Sequence, residues 1–215
     1  GIFHVESSKP VDPERVRRMT DAIAHRGPDG AGVWTAPGIG LGHRRLSIID
    51  LGGGAQPMLT EDERYALSFN GEIYNFQELR KELEARGHQF RTHSDSEVIL
   101  EAYRAWGPKC VERLHGMFVF ALYDQANRQL LLARDRLGVK PLYHARLADG
   151  SIIFGSELKA LLEHPALRRE PDLAMVDDYL AFGYVPDHGC IVAGVQKLAA
   201  GHFWLLTQGK AEPAP

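Results

Sequence analysis

Hydrophobic and polar positions alternate with two different periods along this chain, and each period predicts a kind of element. Apolar residues spaced for one face of a helix first appear between residues 11 and 26. Asp12 stands at the N-cap position of this segment and Pro13 at the first helical position. Gly27-Pro28 supplies the stop signal. The pattern therefore predicts a first helix that ends at about residue 26.

Four more helices are predicted along the chain. One covers 76–86, with Asn75 as its N-cap and Glu78 at the capping-box position. Another runs from Ser94 to Trp106, and Glu97 again has capping-box spacing. Two shorter helices are expected around 157–163 and 173–181.

Strand-like segments make up most of the remaining chain and are separated by turn residues. The Asn70-Gly71 pair lies between short apolar runs, and such a pair is the strongest local signal for a hairpin turn. Many short strands with helices in separate blocks indicate a layered α+β domain and not a doubly wound parallel sheet. The predicted strands are 40–51, one that begins at 65, 116–124, 128–135, 141–147, 151–156, and a closing pair near 190–193 and 202–207.

Composition narrows the class of protein. The chain has 215 residues, of which 44% are hydrophobic and 25% charged, so it has ample material for a buried core. A formal net charge of −3 gives no field for binding nucleic acid, and no apolar run is long enough to span a membrane. Two cysteines form no disulfide framework, which favours a reducing, cytoplasmic location.

Familiar cofactor motifs do not account for the polar residues. The glycine-rich segment 51–56 lacks the Lys-Ser/Thr of a phosphate loop. His188 and Cys190 have no second pair at zinc-site spacing, so no metal site is predicted. A solvent-facing loop is predicted for His188 and Cys190, and Cys110 is interpreted as a small packing residue on a helix.

Three segments have a receptor-like combination of charges and donors. Arg45 can grip a carboxylate with two parallel hydrogen bonds, and Asp95 can hold an ammonium. Asn70 offers a side-chain amide and Gly71 an open backbone N–H, two donors suited to a developing oxyanion. Each residue also has a structural explanation as a turn, a surface arginine or a helix-terminus acid. Together they fit an amino acid with a reactive side-chain carbonyl.

A series of motifs in order makes the chain resemble a known family. The segments "GIF", "HRGPDG", "HRRLSIIDL", "QPM", "FNGEIYNF", "SDSEVIL", "HGMFVFALYD", "ARDRLGVKPLY" and "GSELKAL" occur as they do in class II glutamine amidotransferases. The chain is most similar to the N-terminal glutaminase domain of glutamine-hydrolysing asparagine synthetases. The resemblance covers nearly the whole chain.

The resemblance implies a fold and a nucleophile. The fold is the N-terminal-nucleophile hydrolase fold, a four-layer αββα sandwich of two antiparallel sheets. Residues 1–185 would form the glutaminase domain, and 186–215 the closing strands and the start of a linker to a synthetase domain. The family nucleophile is a Cys directly before the position of Gly1. Whether that Cys is trimmed, replaced or simply precedes the printed sequence is left open.

The resemblance also assigns residues to the site. Asn70 and Gly71 would form the oxyanion hole, and Arg45 would bind the substrate carboxylate. Arg26 would support the pocket. The remaining substrate-binding assignments are the backbone of Ile48 and Ile49 along the pocket, and Asp95, with the Gly71 region and Glu72, at the ammonium group.

Substrate and partners follow from the same resemblance. L-glutamine would be hydrolysed to glutamate and ammonia, which an ATP-dependent synthetase domain would use. No cofactor is expected in this domain, since ATP and Mg²⁺ would belong to the synthetase domain. A homodimer is a further expected partner, and neither nucleic acid nor membrane is one. Two alternatives stay open: a glutaminase serving another acceptor domain, and a non-hydrolysing structural domain like that of β-lactam-forming relatives.

Overall fold

Eleven strands and five helices make up the part of the chain that the computed structural model describes, residues 1–6, 9–46 and 54–210. The strands are β1 (Ile2–Phe3), β2 (Gly30–Ala36), β3 (Ile39–Arg45), β4 (Met58–Leu59), β5 (Tyr65–Ile73), β6 (Gly116–Asp124), β7 (Gln129–Arg134), β8 (Tyr143–Arg146), β9 (Ile152–Gly155), β10 (Val195–Lys197) and β11 (Phe203–Thr207). The helices are α1 (Pro13–Asp21), α2 (Phe76–Ala85), α3 (Asp95–Trp106), α4 (Leu158–Leu162) and α5 (Leu173–Phe182), and 3₁₀ turns cover Ala24–Arg26 and Gly107–Arg113.

Two antiparallel sheets form the middle of the molecule. The first has the strand order β10-β8-β9-β1-β3-β2, and the second has the order β11-β7-β6-β5-β4. Every pair of neighbouring strands in the two sheets is antiparallel. Both sheets end on a strand from the last part of the chain, since β10 pairs with β8 and β11 with β7.

Three apolar clusters separate four layers. One lies between the sheets, with Phe3, Leu41 and Leu132 among its members. Another packs α2 and α3 on the outer face of the second sheet, and a third packs α1 and α4 on the outer face of the first. This arrangement confirms the predicted four-layer αββα sandwich of two antiparallel sheets.

The first helix follows its sequence signals at the start and stops earlier than predicted. The Asp12 carboxylate accepts a hydrogen bond from the backbone N–H of Glu14, as an N-cap does. Val16 and Met19 are buried beneath the helix. The α-helix ends at Asp21, and residues 24–26 form a separate 3₁₀ turn.

The predicted hairpin turn at Asn70-Gly71 is wrong. Strand β5 continues through both residues, and they pair with Val119 and Phe118 of β6. A nine-residue ladder to β6 therefore outweighs the local turn signal. Gly71 has a φ of 151°, and a Cβ there would collide with the backbone of Met117. Glycine is needed at this position for close strand contact and not for a turn.

Both predicted capping boxes are wrong in their side-chain contacts. Asn75 precedes α2 but makes no capping hydrogen bond; its side chain bonds the backbone of Arg113 and His115. Ser94 does cap α3, whereas Glu97 accepts hydrogen bonds from Arg91 and Thr92. Long-range partners have replaced the local ones.

The other predicted elements differ mainly in their bounds. The strand 116–124 is confirmed as predicted, and the strand expected near 190–193 instead covers Val195–Lys197. Of the predicted strand 40–51, only residues 40–46 lie in the described chain. Strand β3 covers this part as far as Arg45. Among the described residues, no helix is both long and apolar enough to cross a lipid bilayer.

Candidate functional site

A cavity of about 420 Å³ opens at one end of the sandwich, where β3 and β5 meet the start of α3. Both sheets contribute to its wall, so side chains distant in sequence face the same space. The polar or charged residues that line it include Arg26, His43, Arg45, Gln56, Ser68, Asn70, Glu72, Asp95, Ser96 and Lys140, and Gly1 and Gly71 contribute backbone.

Strand alternation places Asn70 at the cavity. Phe69 and Ile73 belong to the cluster beneath α3, so Asn70 points to the opposite face, toward the first sheet. Ser68 lies on that face as well and donates a hydrogen bond to the carbonyl oxygen of Gly42 at 3.2 Å. Side-chain period and strand register thus bring the Asn70 amide to the wall that β3 also lines.

Asp95 is a buried carboxylate at the first position of α3. One of its oxygens accepts a hydrogen bond from the backbone N–H of Ile73 at 3.0 Å, which joins α3 to the end of β5. Burial raises the pKa of Asp95, and the nearby Glu72 carboxylate raises it further, although backbone hydrogen bonds from Ile73 and Ser96 oppose this. A cation placed in the cavity beside Asp95 and Glu72 would relieve that unfavourable charge.

Arg45 supplies positive charge to the same cavity from the end of β3. His43 lies two residues earlier on the same face of that strand. Burial, with a smaller contribution from the Arg45 guanidinium, lowers the pKa of His43 to about 4. The imidazole is therefore neutral near pH 7, so the positive charge on this wall comes from arginine, Arg45 included.

Gln56 connects the two elements that carry the polar wall. Its side-chain oxygen accepts a hydrogen bond from the backbone N–H of Phe69 at 2.6 Å, next to Asn70. Its side-chain nitrogen donates to the hydroxyl of Ser96 at 3.2 Å, next to Asp95. One amide thereby fixes β5 relative to the start of α3.

Arg26 forms another part of the wall and holds two segments together. Its guanidinium contacts the Glu157 carboxylate at 3.3 Å and the Ser156 hydroxyl at 3.5 Å. The 3₁₀ turn after α1 is thus attached to the residues before α4.

Gly1 brings the beginning of the printed sequence into the cavity wall. Its backbone nitrogen donates a hydrogen bond to the carbonyl oxygen of Phe154 at 2.7 Å. A Cβ at position 1 would collide with the Phe154 ring, so the strand packing leaves no room for a side chain there.

The structure brings together six of the residues singled out from the sequence: Arg26, Arg45, Asn70, Gly71, Glu72 and Asp95. Ile48 and Ile49 lie outside the described residues. Gln56 and His43 were assigned no role in the sequence, although both fall in the quoted segments "QPM" and "HRRLSIIDL". Their position next to Asn70 and Arg45 depends on contacts between strands that no local pattern encodes.

Comparison with known proteins gives a consistent family. The model of the glutamine amidotransferase domain matches residues 1–215. Asparagine synthetase [glutamine-hydrolyzing] 1 of Bacillus subtilis is 42% identical over 203 residues, which are 94% of this chain and 32% of that protein. Asparagine synthetase B [glutamine-hydrolyzing] of Escherichia coli is 41% identical over 162 residues, covering 75% of this chain and 29% of that protein. The chain therefore spans about a third of the length of these relatives.

Solved structures show the same fold at lower identity. Glutamine phosphoribosylpyrophosphate amidotransferase from B. subtilis superimposes with a TM-score of 0.62 and 22% identity, over 74% of this chain and 42% of that one. The structure described as the allosteric regulatory enzyme of purine biosynthesis gives a TM-score of 0.60, also at 22% identity, over 75% of this chain and 42% of that one. These two likenesses agree with the predicted N-terminal-nucleophile hydrolase fold.

Proposed function

Because this chain belongs to the glutamine amidotransferase domain family, we propose that its cavity binds L-glutamine and hydrolyses the side-chain amide to glutamate and ammonia. The observation that carries the proposal is the charge arrangement of one cavity. Arg45 faces it from β3, and the Glu72 and Asp95 carboxylates face it from β5 and α3. A free α-amino acid has a carboxylate and an ammonium that match these two signs.

The two charged groups of glutamine would fix its backbone and direct its side chain. Arg45 would hold the α-carboxylate with two parallel hydrogen bonds. Asp95 and Glu72 would hold the α-ammonium, which offsets the burial that raises the pKa of Asp95. The Arg26 wall would complete the support, and the same role is proposed for the backbone of Ile48 and Ile49, which lie outside the described residues.

Asn70 and Gly71 would stabilise the charge that develops on the amide oxygen. The Asn70 side chain and the Gly71 backbone N–H are the two proposed donors. Two donors aimed at one developing oxyanion lower the barrier because their position is fixed before the reaction starts. The Gln56 hydrogen bonds to Phe69 and Ser96 provide that fixed position.

A Cys encoded directly before Gly1 would be the nucleophile. Its thiol sulfur forms a bond to the amide carbon, and its own α-amine, with an ordinary pKa of about 8, accepts the thiol proton. The amine then delivers this proton to the leaving nitrogen as ammonia departs and a thioester remains. Water hydrolyses the thioester to glutamate and restores the thiol.

The proposed recipient of the ammonia is an ATP-dependent asparagine synthetase domain that follows this one in the full-length protein. The support is that both relatives described above are glutamine-hydrolysing asparagine synthetases at more than 40% identity. The phosphoribosylpyrophosphate amidotransferase is similar in fold alone and favours no other acceptor.

The test is glutamine-dependent ammonia release by the full-length protein. Replacing the Cys before Gly1 with Ala should abolish release. In the Cys-bearing protein, Arg45→Ala should raise KM for glutamine by about 10- to 150-fold, since a charged hydrogen-bonded contact contributes about 1.5–3 kcal/mol. Arg45→Lys should restore little, because the two-pronged geometry is lost.

A matched control is Arg86→Ala, which removes an exposed arginine on the opposite side of β5 that pairs with Glu82. KM should stay at the parental value in this variant. A parental KM in Arg45→Ala would contradict the assignment of the carboxylate site, and ammonia release without the Cys would contradict the assignment of the nucleophile.

A further inference from the structure

Helix α5 has an unusual composition for its position. Its sequence, LAMVDDYLAF, has eight apolar residues of ten and only Asp177 and Asp178 as charged ones. A helix that is apolar on every side is normally buried in a protein core or an interface. None of the ten residues of α5 is buried in this chain.

One side of α5 packs on the segment that follows it, and a different side carries exposed apolar residues. Asp178 pairs with His188 at 3.5 Å, and Met175 packs so closely on Gly189 that a Cβ at Gly189 would collide with its sulfur. Leu173 and Leu180 lie seven residues apart on a different face, and Leu180 is 75% exposed. The helix is thus anchored with its apolar face toward solvent.

The loop after β7 carries two further exposed apolar side chains on a rigid frame. Leu137 is 86% exposed and Val139 is 54% exposed. The Asp135 carboxylate accepts hydrogen bonds from the backbone N–H groups of Leu137, Val139 and Lys140 and from that of Phe118. Burial raises the pKa of Asp135, but these bonds outweigh it and the net pKa is lowered. The loop is therefore ordered in advance of any partner.

A buried arginine joins this loop to the turn after α5. The Arg134 guanidinium donates to the carbonyl oxygens of Gly138 and Lys140, and it pairs with Asp187 at 3.1 Å. The ion pair places this loop beside the turn that follows α5, and the exposed apolar residues of the helix, that turn and the loop are here called the α5 surface. Its members are Leu137, Val139, Leu173, Leu180, Phe182 and Tyr184.

We propose that the α5 surface is the docking face for the domain that follows residue 215 in the full-length protein. The proposal identifies the contact of the synthetase domain in the proposed function and so rests on it. About two thirds of each relative compared above lies outside the matched stretch, since that stretch is 32% of one and 29% of the other. That chain is a partner large enough to cover a helix and a loop.

Chain length permits this contact. Strand β11 begins beside Arg134, because Phe203 pairs with Ala133, and it runs away from the α5 surface for five residues. Those residues cover about 17 Å, and the eight that follow Thr207 can span about 26 Å when extended. A domain attached after residue 215 can therefore reach back. The acidic Asp177 beside the apolar face predicts an apolar partner face with a cation at its edge.

Cysteine accessibility in the full-length protein tests the docking face. The variants are Leu180→Cys and Leu137→Cys, and the matched control is Tyr74→Cys, at a site outside the surface that is 61% exposed. The native Cys110 and Cys190 are buried, and peptide mass spectrometry separates the labelled sites. Maleimide labelling should be at least about tenfold slower at 180 and 137 than at 74, because the docked domain must open before the thiols react.

Equal labelling at all three positions would overturn the proposal. Protection that disappears when the protein is diluted would also overturn it and would assign the surface to a second copy of the chain. Neither result depends on glutamine hydrolysis. The proposed glutaminase activity, measured in the same Leu180→Cys protein, should be parental, so failure of the docking proposal is distinguishable from failure of the proposed function.

Discussion

Helices α3 and α5 show that apolar content does not decide burial in this chain. Helix α3 has seven apolar residues of twelve, yet residues 95–103 are all buried, three acids among them. Helix α5 has eight apolar residues of ten and none that is buried. The more polar helix is the inner one.

The difference lies in the partners that each helix has. Each buried acid of α3 has a hydrogen-bond donor: Asp95 has Ile73, Glu97 has Thr92, and Glu101 has His88 at 2.7 Å. Satisfied polar groups of this kind can be buried at little net cost. Helix α5 has only two charged side chains, and the described part of the chain buries none of its residues. Buried residues at the start of α3 therefore line the cavity, whereas the exposed apolar residues of α5 belong to the α5 surface.

The largest expected effect compares one leucine on each helix. Leu100 of α3 is 1% exposed, and Leu100→Ala should lower the free energy of unfolding by about 2–5 kcal/mol because it leaves a cavity in the core. Leu180→Ala on α5 should change it by less than about 0.5 kcal/mol in residues 1–215. Chemical denaturation of both variants measures the difference. In the full-length protein the cost of Leu180→Ala should grow, and similar costs for the two variants in residues 1–215 would contradict the comparison.

The next effect concerns chemistry beside α3. Asn70→Asp keeps the shape of the side chain but replaces an amide donor with a carboxylate that only accepts. We expect kcat for glutamine hydrolysis to fall at least about a hundredfold, with the thermal midpoint within a few degrees of the parent. Near-parental kcat would contradict an oxyanion role for Asn70.

Asn75→Asp is the control for that substitution. The Asn75 amide donates to the carbonyl oxygen of Arg113 outside the cavity. This variant should lose stability and keep kcat, which is the reverse of the result expected for Asn70→Asp.

The smallest effect is a change in pH-dependent stability. Burial, together with Glu72, raises the folded-state pKa of Asp95, so the folded protein binds a proton more readily than the unfolded chain. The ionised carboxylate therefore reduces stability above its folded pKa, and that cost disappears below the unfolded pKa near 4. Asp95→Asn should raise the free energy of unfolding at pH 7, with a gain that shrinks as pH falls, while glutamine binding is lost. Urea titrations at several pH values measure the gain.

Local sequence signals predicted the positions of helices and strands better than they predicted the contacts between these elements. The Asp12 cap and the strand 116–124 came directly from residue pattern, since cap chemistry and side-chain alternation act over a few residues. Asn70-Gly71 was assigned to a hairpin because pairing with β6, more than forty residues away, has no local signature. Glu97 likewise bonds Thr92 instead of completing a capping box.

The individual residues of the candidate site could be predicted only from the series of family motifs that occur in the same order along the chain. Arg45, Asn70 and Asp95 each had an ordinary structural explanation, and their convergence depends on the stacking of two sheets. Gln56 received no role because its two hydrogen bonds lead to different elements, β5 and α3. Its importance depends on tertiary contacts that a single sequence does not reveal.

The carboxylate of Asp135 has a consequence for how this domain can change during evolution or in the laboratory. It fixes the shape of the loop by accepting hydrogen bonds from backbone N–H groups only. The exposed side chains of Leu137 and Val139 make none of these hydrogen bonds. Recognition and architecture are therefore encoded by separate residues. New side chains at 137 and 139 can alter what the loop recognises while Asp135 keeps its scaffold, so the domain can acquire a different neighbour without being redesigned around it.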